Sequence, residues 1–221
     1  MVVHASPPVV LVVGSSVAEG VGARNDYGWA SMMGDALSEK YGYVYVNEAV
    51  SGFTTVATAA LLPSVLRQHR PSAVVIALSL ANEGLPLTTS ARQAASLAAG
   101  YEQRLLGMAA TAAAFDGVKL VMLGGVYPSN DYNTFQYAEL LASNARLQGD
   151  TASPWPCVPS ATATATCGAA CTYPVIDFLA VTDDGSGAWK AGTSVDSGHP
   201  NDAGHKAMFS AVDLGLFSGL A

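Results

Sequence analysis

Four short polar motifs carry the residues of this chain best suited to making and breaking covalent bonds. The first is Gly14-Ser15-Ser16-Val17-Ala18-Glu19-Gly20, in which a serine pair follows directly on an apolar run. A serine set among small residues after a buried strand can stand at a helix start with its hydroxyl exposed. The same pattern also makes ordinary turns and helix caps. The second motif, Asn47 to Thr55, contains Gly52. Without a side chain there, a backbone N–H can approach a ligand, although a tight turn asks for the same residue. The third, Leu80-Ala81-Asn82-Glu83-Gly84, offers the amide of Asn82, a donor that equally often caps a turn. The fourth, Asp196-Ser197-Gly198-His199-Pro200-Asn201, sets an acid three residues before a histidine. In a tight turn such a carboxylate can orient the imidazole, whereas a solvated loop leading into a helix would need neither.

These motifs must be positioned by the elements around them. Val9 to Val13 is an uninterrupted apolar run, as expected of a strand buried on both faces of a parallel sheet. Tyr43 to Val46, Ala73 to Leu78, Val118 to Leu123 and the shorter Pro174 to Phe178 read as four further strands. Helical patterns fill the intervals, over Tyr27 to Lys40, Val56 to His69, Thr88 to Ala114 and Asn133 to Gln148. Gly100 and Gly107 are places where the longest of these can bend. A last helix is expected from about Asp202 to Phe217, with Asn201 as its N-cap. Strands alternating with helices imply an α/β architecture with a parallel sheet. Polar groups that follow its strands gather on one rim, beyond the carboxyl ends.

Composition narrows the partners. With 10 Lys+Arg against 17 Asp+Glu the net charge is -7, which leaves no basic footprint for nucleic acid or an anionic membrane surface. The balance favours a neutral or weakly charged small molecule. Half of the 221 residues are hydrophobic, ample for one domain spanning 1–221, with an irregular Ala/Thr-rich excursion at 149–172. No apolar run is long enough for a transmembrane segment. Met1 to Val13 lacks the basic region and cleavage site of a signal peptide. Nothing else in the sequence chooses between a secreted and a cytoplasmic setting, or sets an oligomeric state. Cys157, Cys167 and Cys171 lie in one short segment without a fourth sulfur or a nearby histidine. A structural zinc site is therefore not expected; one disulfide plus one thiol, or three thiols, both fit.

What separates the four motifs from chance is their order. Ser, Gly, Asn and His follow strands one, two and three and precede the last helix, and in this the chain resembles the SGNH hydrolase superfamily of GDSL-like lipases and esterases. The resemblance runs from Val9 to Phe209. The stretch from Asp183-Asp184-Gly185 through Trp189 to His205 is also similar to segments of that family. Three blocks depart from the pattern: Ser15 replaces the Asp of G-D-S-L, Leu80 and Glu83 replace the Gly and Asp of G-x-N-D, and Ala49 stands where Gly is frequent.

The resemblance implies a three-layer α/β/α sandwich of flavodoxin-like form, with a central, mainly five-stranded parallel sheet. It assigns Ser16 as nucleophile, with Asp196 and His199 completing the triad. It also implies an oxyanion hole formed by the backbone N–H groups of Ser16 and Gly52 and the side-chain amide of Asn82. The chemistry implied is hydrolysis of a small-molecule ester through an acyl-enzyme. Fold and triad do not choose the ester; with no lid-like apolar helix or membrane-binding stripe in the sequence, short-chain or acetyl esters are favoured, carbohydrate acetates among them. No metal or cofactor is implied. The alternatives are acyl transfer on the same fold, or a catalytically silent binding domain. Other eye-catching residues have plainer readings. His4 and His69 are expected at the surface, His205 as a packing or solvated residue, Asp183 and Asp184 as loop-shaping, and Tyr127 and Trp189 as core or rim packing.

Overall fold

The computed structural model describes residues 6–149 and 173–220. His4, the three cysteines and the excursion expected at 149–172, apart from Gly149 itself, lie outside the described residues. Five parallel strands form one sheet in the order β2-β1-β3-β4-β5: β1 (Val9–Gly14), β2 (Val44–Asn47), β3 (Ala73–Ala77), β4 (Leu120–Gly124) and β5 (Val175–Ile176). The intervening helices are α1 (Ser16–Glu19), α2 (Trp29–Tyr41), α3 (Thr55–His69), α4 (Ala91–Ala113), α5 (Thr134–Gln148), α6 (Phe178–Thr182) and α7 (Asp202–Ser210). Among the described residues no helix is long and apolar enough to cross a membrane.

The alternation of side chains along a strand explains the two cores. From β1, Leu11 and Val13 pack with Val74 and Ile76 of β3 against α3, α4 and α5. Val10 and Val12 point the other way, with Ala73 and Val75, onto Trp29, Met33 and Leu37 of α2 and Met208 of α7. Both faces of the sheet are thereby covered, the three-layer arrangement that continuous apolar strands require. Helix starts follow the sequence closely. Thr54 caps α3, Ser90 caps α4, Asn133 and Gln136 form a capping box on α5, and Asn201 accepts from Ala203 and Gly204 at the head of α7. Helix α4 runs through Gly100 and Gly107 as a single element.

Three expectations need correction. The last helix does not continue to Phe217: α7 stops at Ser210, and a short 3₁₀ turn, Leu214–Phe217, follows. Asp213 accepts the Gly215 N–H and restarts the chain in a new direction. That direction buries Phe217 and lets Tyr43 donate to its carbonyl. Strand β5 is only two residues long, because Asp177 caps α6 and draws Phe178 into that helix. His69 is not a free surface residue but is half-buried against Glu48, its Nε2 2.7 Å from the carboxylate.

His205 takes the packing alternative and not the solvated one. It is fully buried, its Nδ1 accepting from the Trp29 N–H at 3.2 Å and its Nε2 donating to the Val21 carbonyl at 3.1 Å. One imidazole thus joins α7, the start of α2 and the turn after α1. Burial pushes its pKa below the ordinary 6.5, with His199 acting the same way and the Val21 carbonyl and Asp202 opposing. Below that ordinary value the unfolded chain takes up a proton that the folded one resists. Stability is therefore complete above about pH 6.5, falls as the pH drops below it, and levels off beneath the depressed folded value. Urea midpoints between about pH 8 and about pH 5 will show this decline in the wild type and a shallower one in His205→Gln. Equal slopes in the two proteins would exclude His205 as the source.

Candidate active site

The turn after β1 is set by a close approach of two backbones. A Cβ on Gly14 would lie 2.1 Å from the Ala77 carbonyl oxygen, so only glycine lets β1 and β3 run together at this point. Ser15 follows in extended conformation, donates its N–H to the same carbonyl at 3.3 Å and is fully buried. Ser16 opens α1 with a small exposed fraction. Of the two serines, it is Ser16 that meets the histidine: its Oγ lies 3.0 Å from His199 Nε2.

The histidine is held by a compact turn. Asp196 Oδ1 accepts the N–H groups of Gly198 and His199 at 2.8 and 2.7 Å, and its Oδ2 stands 2.9 Å from His199 Nδ1. With Nδ1–H donating to the carboxylate, Nε2 carries the lone pair and can accept from the Ser16 hydroxyl. Burial raises the Asp196 pKa, but the hydrogen bonds from the His199 ring and the two backbone N–H groups outweigh it, leaving a net lowering. Asp196 is thus held ionised. The turn is fastened on both sides. Val195 donates to the His199 carbonyl, while the Trp189 indole N–H and the Asn130 N–H both donate to Ser197 O, at 3.1 and 2.9 Å. Trp189 is itself buried and stacked on Tyr127, with ring centroids 5.8 Å apart. Both aromatic residues are packing residues, and Asp183 and Asp184 shape their loop by accepting from Gly187 and Ser186.

Gly52 sits in the turn Val50 to Phe53, closed by Phe53 N–H donating to Val50 O, and its φ of +79° is one that a side chain disfavours. This turn is tied to the turn of Ser16 twice. Val50 N–H donates to Gly14 O, and Glu19 of α1 accepts from both the N–H and hydroxyl of Ser51. Asn82 Nδ2 donates one hydrogen to Phe53 O at 3.0 Å, which leaves its second hydrogen for another acceptor. Among the described residues, no protein acceptor takes the N–H of Ser16 or Gly52. The structure thus joins Ser16, His199 and Asp196 directly, and holds Gly52 and Asn82 together through Phe53. Glu19, Asn130 and the indole of Trp189 escaped the sequence reading as supports. Glu19 lies inside the first motif, but nothing local says that its carboxylate reaches Ser51.

Geometry of this kind can be compared with known proteins. The sequence pattern of the GDSL-like Lipase/Acylhydrolase family matches residues 12–207, from β1 into α7 and across all four motifs. The chain belongs to that family. Within this GDSL-like family, it is similar to the esterase TesA of Pseudomonas aeruginosa, 33% identical over 128 residues, which make up 58% of this chain and 59% of that protein. It is also similar to an arylesterase of Vibrio mimicus, 39% identical over 77 residues, 34% of this chain and 38% of the other. The chain therefore aligns with less than two thirds of either relative. The crystal structure of a lipase from a goat rumen metagenome, Lip_vut3, superposes with a TM-score of 0.73 at 18% identity, covering 97% of this chain and all of that one. At that identity the likeness speaks for the fold.

Replacing Trp189 by Phe keeps the ring stack and removes the hydrogen bond to Ser197 O. One hydrogen bond is worth about 1 kcal/mol net, so the amide protons of Gly198 and His199 in Trp189→Phe should exchange up to about tenfold faster. Unchanged exchange at these two positions would mean that the indole does not hold the turn.

Proposed function

We propose that this protein is a serine esterase that cleaves carboxylic esters through an acyl-enzyme formed on Ser16. The observation that carries the reading is the continuous line of contacts from Ser16 Oγ to His199 Nε2 at 3.0 Å and from His199 Nδ1 to Asp196 at 2.9 Å. Family membership and the esterase and arylesterase names of the two relatives support ester cleavage.

In the proposed cycle Ser16 Oγ attacks the acyl carbon as His199 Nε2 takes its proton. The carbonyl oxygen becomes an oxyanion, met by the N–H groups of Ser16 and Gly52 and the free amide hydrogen of Asn82. Donors already fixed in place cost no reorganisation as the charge develops, and removing one typically slows such reactions by about 100- to 1000-fold. The ester C–O bond then breaks and His199 returns the proton to the leaving alkoxide, releasing the alcohol. Water attacks the acyl-enzyme with His199 again as base, freeing the acid and restoring Ser16. Asp196 keeps the imidazole in the required tautomer and stabilises its protonated form. The proposed substrates are small, weakly charged esters with acetyl or other short acyl groups, consistent with the acidic charge balance of the chain.

The test is hydrolysis of 4-nitrophenyl acetate together with labelling by a fluorophosphonate. The wild type should do both. Ser16→Ala should lose labelling, and its kcat should fall by at least about 1000-fold. Ser15→Ala should still label. An inert wild type would sink the esterase reading, and labelling that follows Ser15 would move the nucleophile by one residue. A series of acyl lengths and a panel of acetylated sugars should rank acetyl esters first; a preference for long chains would overturn the substrate assignment.

A further inference from the structure

The third motif departs from the family pattern at Glu83, and the structure shows what that carboxylate touches. Glu83 has a side chain only 5% exposed. One oxygen accepts the N–H of Thr55, the first residue of α3, at 2.5 Å, and the other accepts from Arg104 Nη2 at 2.8 Å. Arg104, on α4, also donates from Nε to Thr55 Oγ1 at 2.6 Å, so the three residues close a ring. Thr55 itself is fully buried. A carboxylate shielded from water in this way needs a charged partner, and two charge-assisted bonds at fixed angles hold it in one geometry.

The neighbours of this ring give it meaning. Asn82 precedes Glu83 and donates to Phe53 O, two residues before Thr55. The loop of residues 80–84 is thus pinned to the segment of residues 52–55 at two successive points, Asn82 to Phe53 and Glu83 to Thr55. With the first bond alone, the Asn82 amide could swing about a single contact. The second removes that freedom, and Arg104 locks the second.

We infer that Glu83 and Arg104 are positioning residues, an ion pair between a buried carboxylate and a part-exposed guanidinium that fixes the Asn82 amide where it meets the oxyanion. The inference rests on the esterase reading above, since it concerns the donor which that mechanism uses. Neither residue touches the reacting atoms; both act through Asn82. Such a role has a distinctive signature. A misplaced donor weakens the transition state more than the bound substrate, so kcat falls while KM stays. Once Asn82 is gone, there is nothing left for the pair to position.

A double-mutant cycle on 4-nitrophenyl acetate reads this directly. In the wild-type background, Glu83→Gln should lower kcat about tenfold with KM within about twofold, the scale expected when a catalytic group shifts by a fraction of an ångström. In the Asn82→Ala background the same substitution should change kcat by less than about twofold, because coupled residues are not additive. The paired variant Glu83→Gln with Arg104→Met leaves no orphaned charge and should behave alike; it carries the test if Glu83→Gln alone does not fold. A full tenfold loss in the Asn82→Ala background would overturn the inference, as would a change confined to KM or an unaltered kcat. Failure of the esterase reading looks different: the wild type itself then neither turns over nor labels.

Discussion

The contact between Gly14 and the Ala77 carbonyl is the constraint on which the candidate site depends. Strand β1 is paired on both sides, to β2 and β3, and its side chains are buried on both faces. Its end is therefore one of the most fixed points in the molecule. The absence of a side chain at Gly14 lets β1 and β3 stay in register to their last residues. Ser16 leaves the sheet from that anchored end, and the Val50 turn leans on the same residue through the Gly14 carbonyl. The turn that carries Ser16 and the turn that carries Gly52 thus share one backbone anchor.

Around this anchor the site is built from loops that carry little secondary structure but many side-chain fasteners. Glu19 holds Ser51, Asn82 holds Phe53, Glu83 holds Thr55, and Trp189 and Asn130 hold Ser197. Loops of this kind place reactive groups with precision only where the framework beneath them is rigid. Here the framework is the sheet, and each fastener spans only a few ångströms from an element rooted in it. The turn that carries Asp196 and His199 has the densest set of bonds.

Much of this was legible in the sequence. The β1 and β3 runs are continuous and apolar, which only a doubly covered strand tolerates, and Asn201 announces the last helix by local chemistry. The order of Ser16, Gly52, Asn82, Asp196 and His199 was readable, and in the structure Ser16, His199 and Asp196 come into contact. Other features were beyond such a reading because they are tertiary. The break after Ser210 depends on Phe217 finding a place beneath α2, and helical periodicity continues through the break regardless. His69 and Glu48 stand 21 residues apart, as do Glu83 and Arg104. Neither pair leaves a spacing signal, because the partners lie on different elements whose packing alone brings them together.

The bond between Ser16 and His199 joins residues 183 positions apart. That separation has a consequence for how the protein comes into being. As the chain leaves the ribosome, β1 and Ser16 emerge ahead of the other four strands, while His199 and α7 follow only after every strand of the sheet. His205 then fastens α7 to α2 and to the turn behind the serine. Until that late segment docks, the hydroxyl of Ser16 has no imidazole beside it. On the mechanism proposed above, a chain ending before residue 199 holds Ser16 without its base, whatever the state of the sheet.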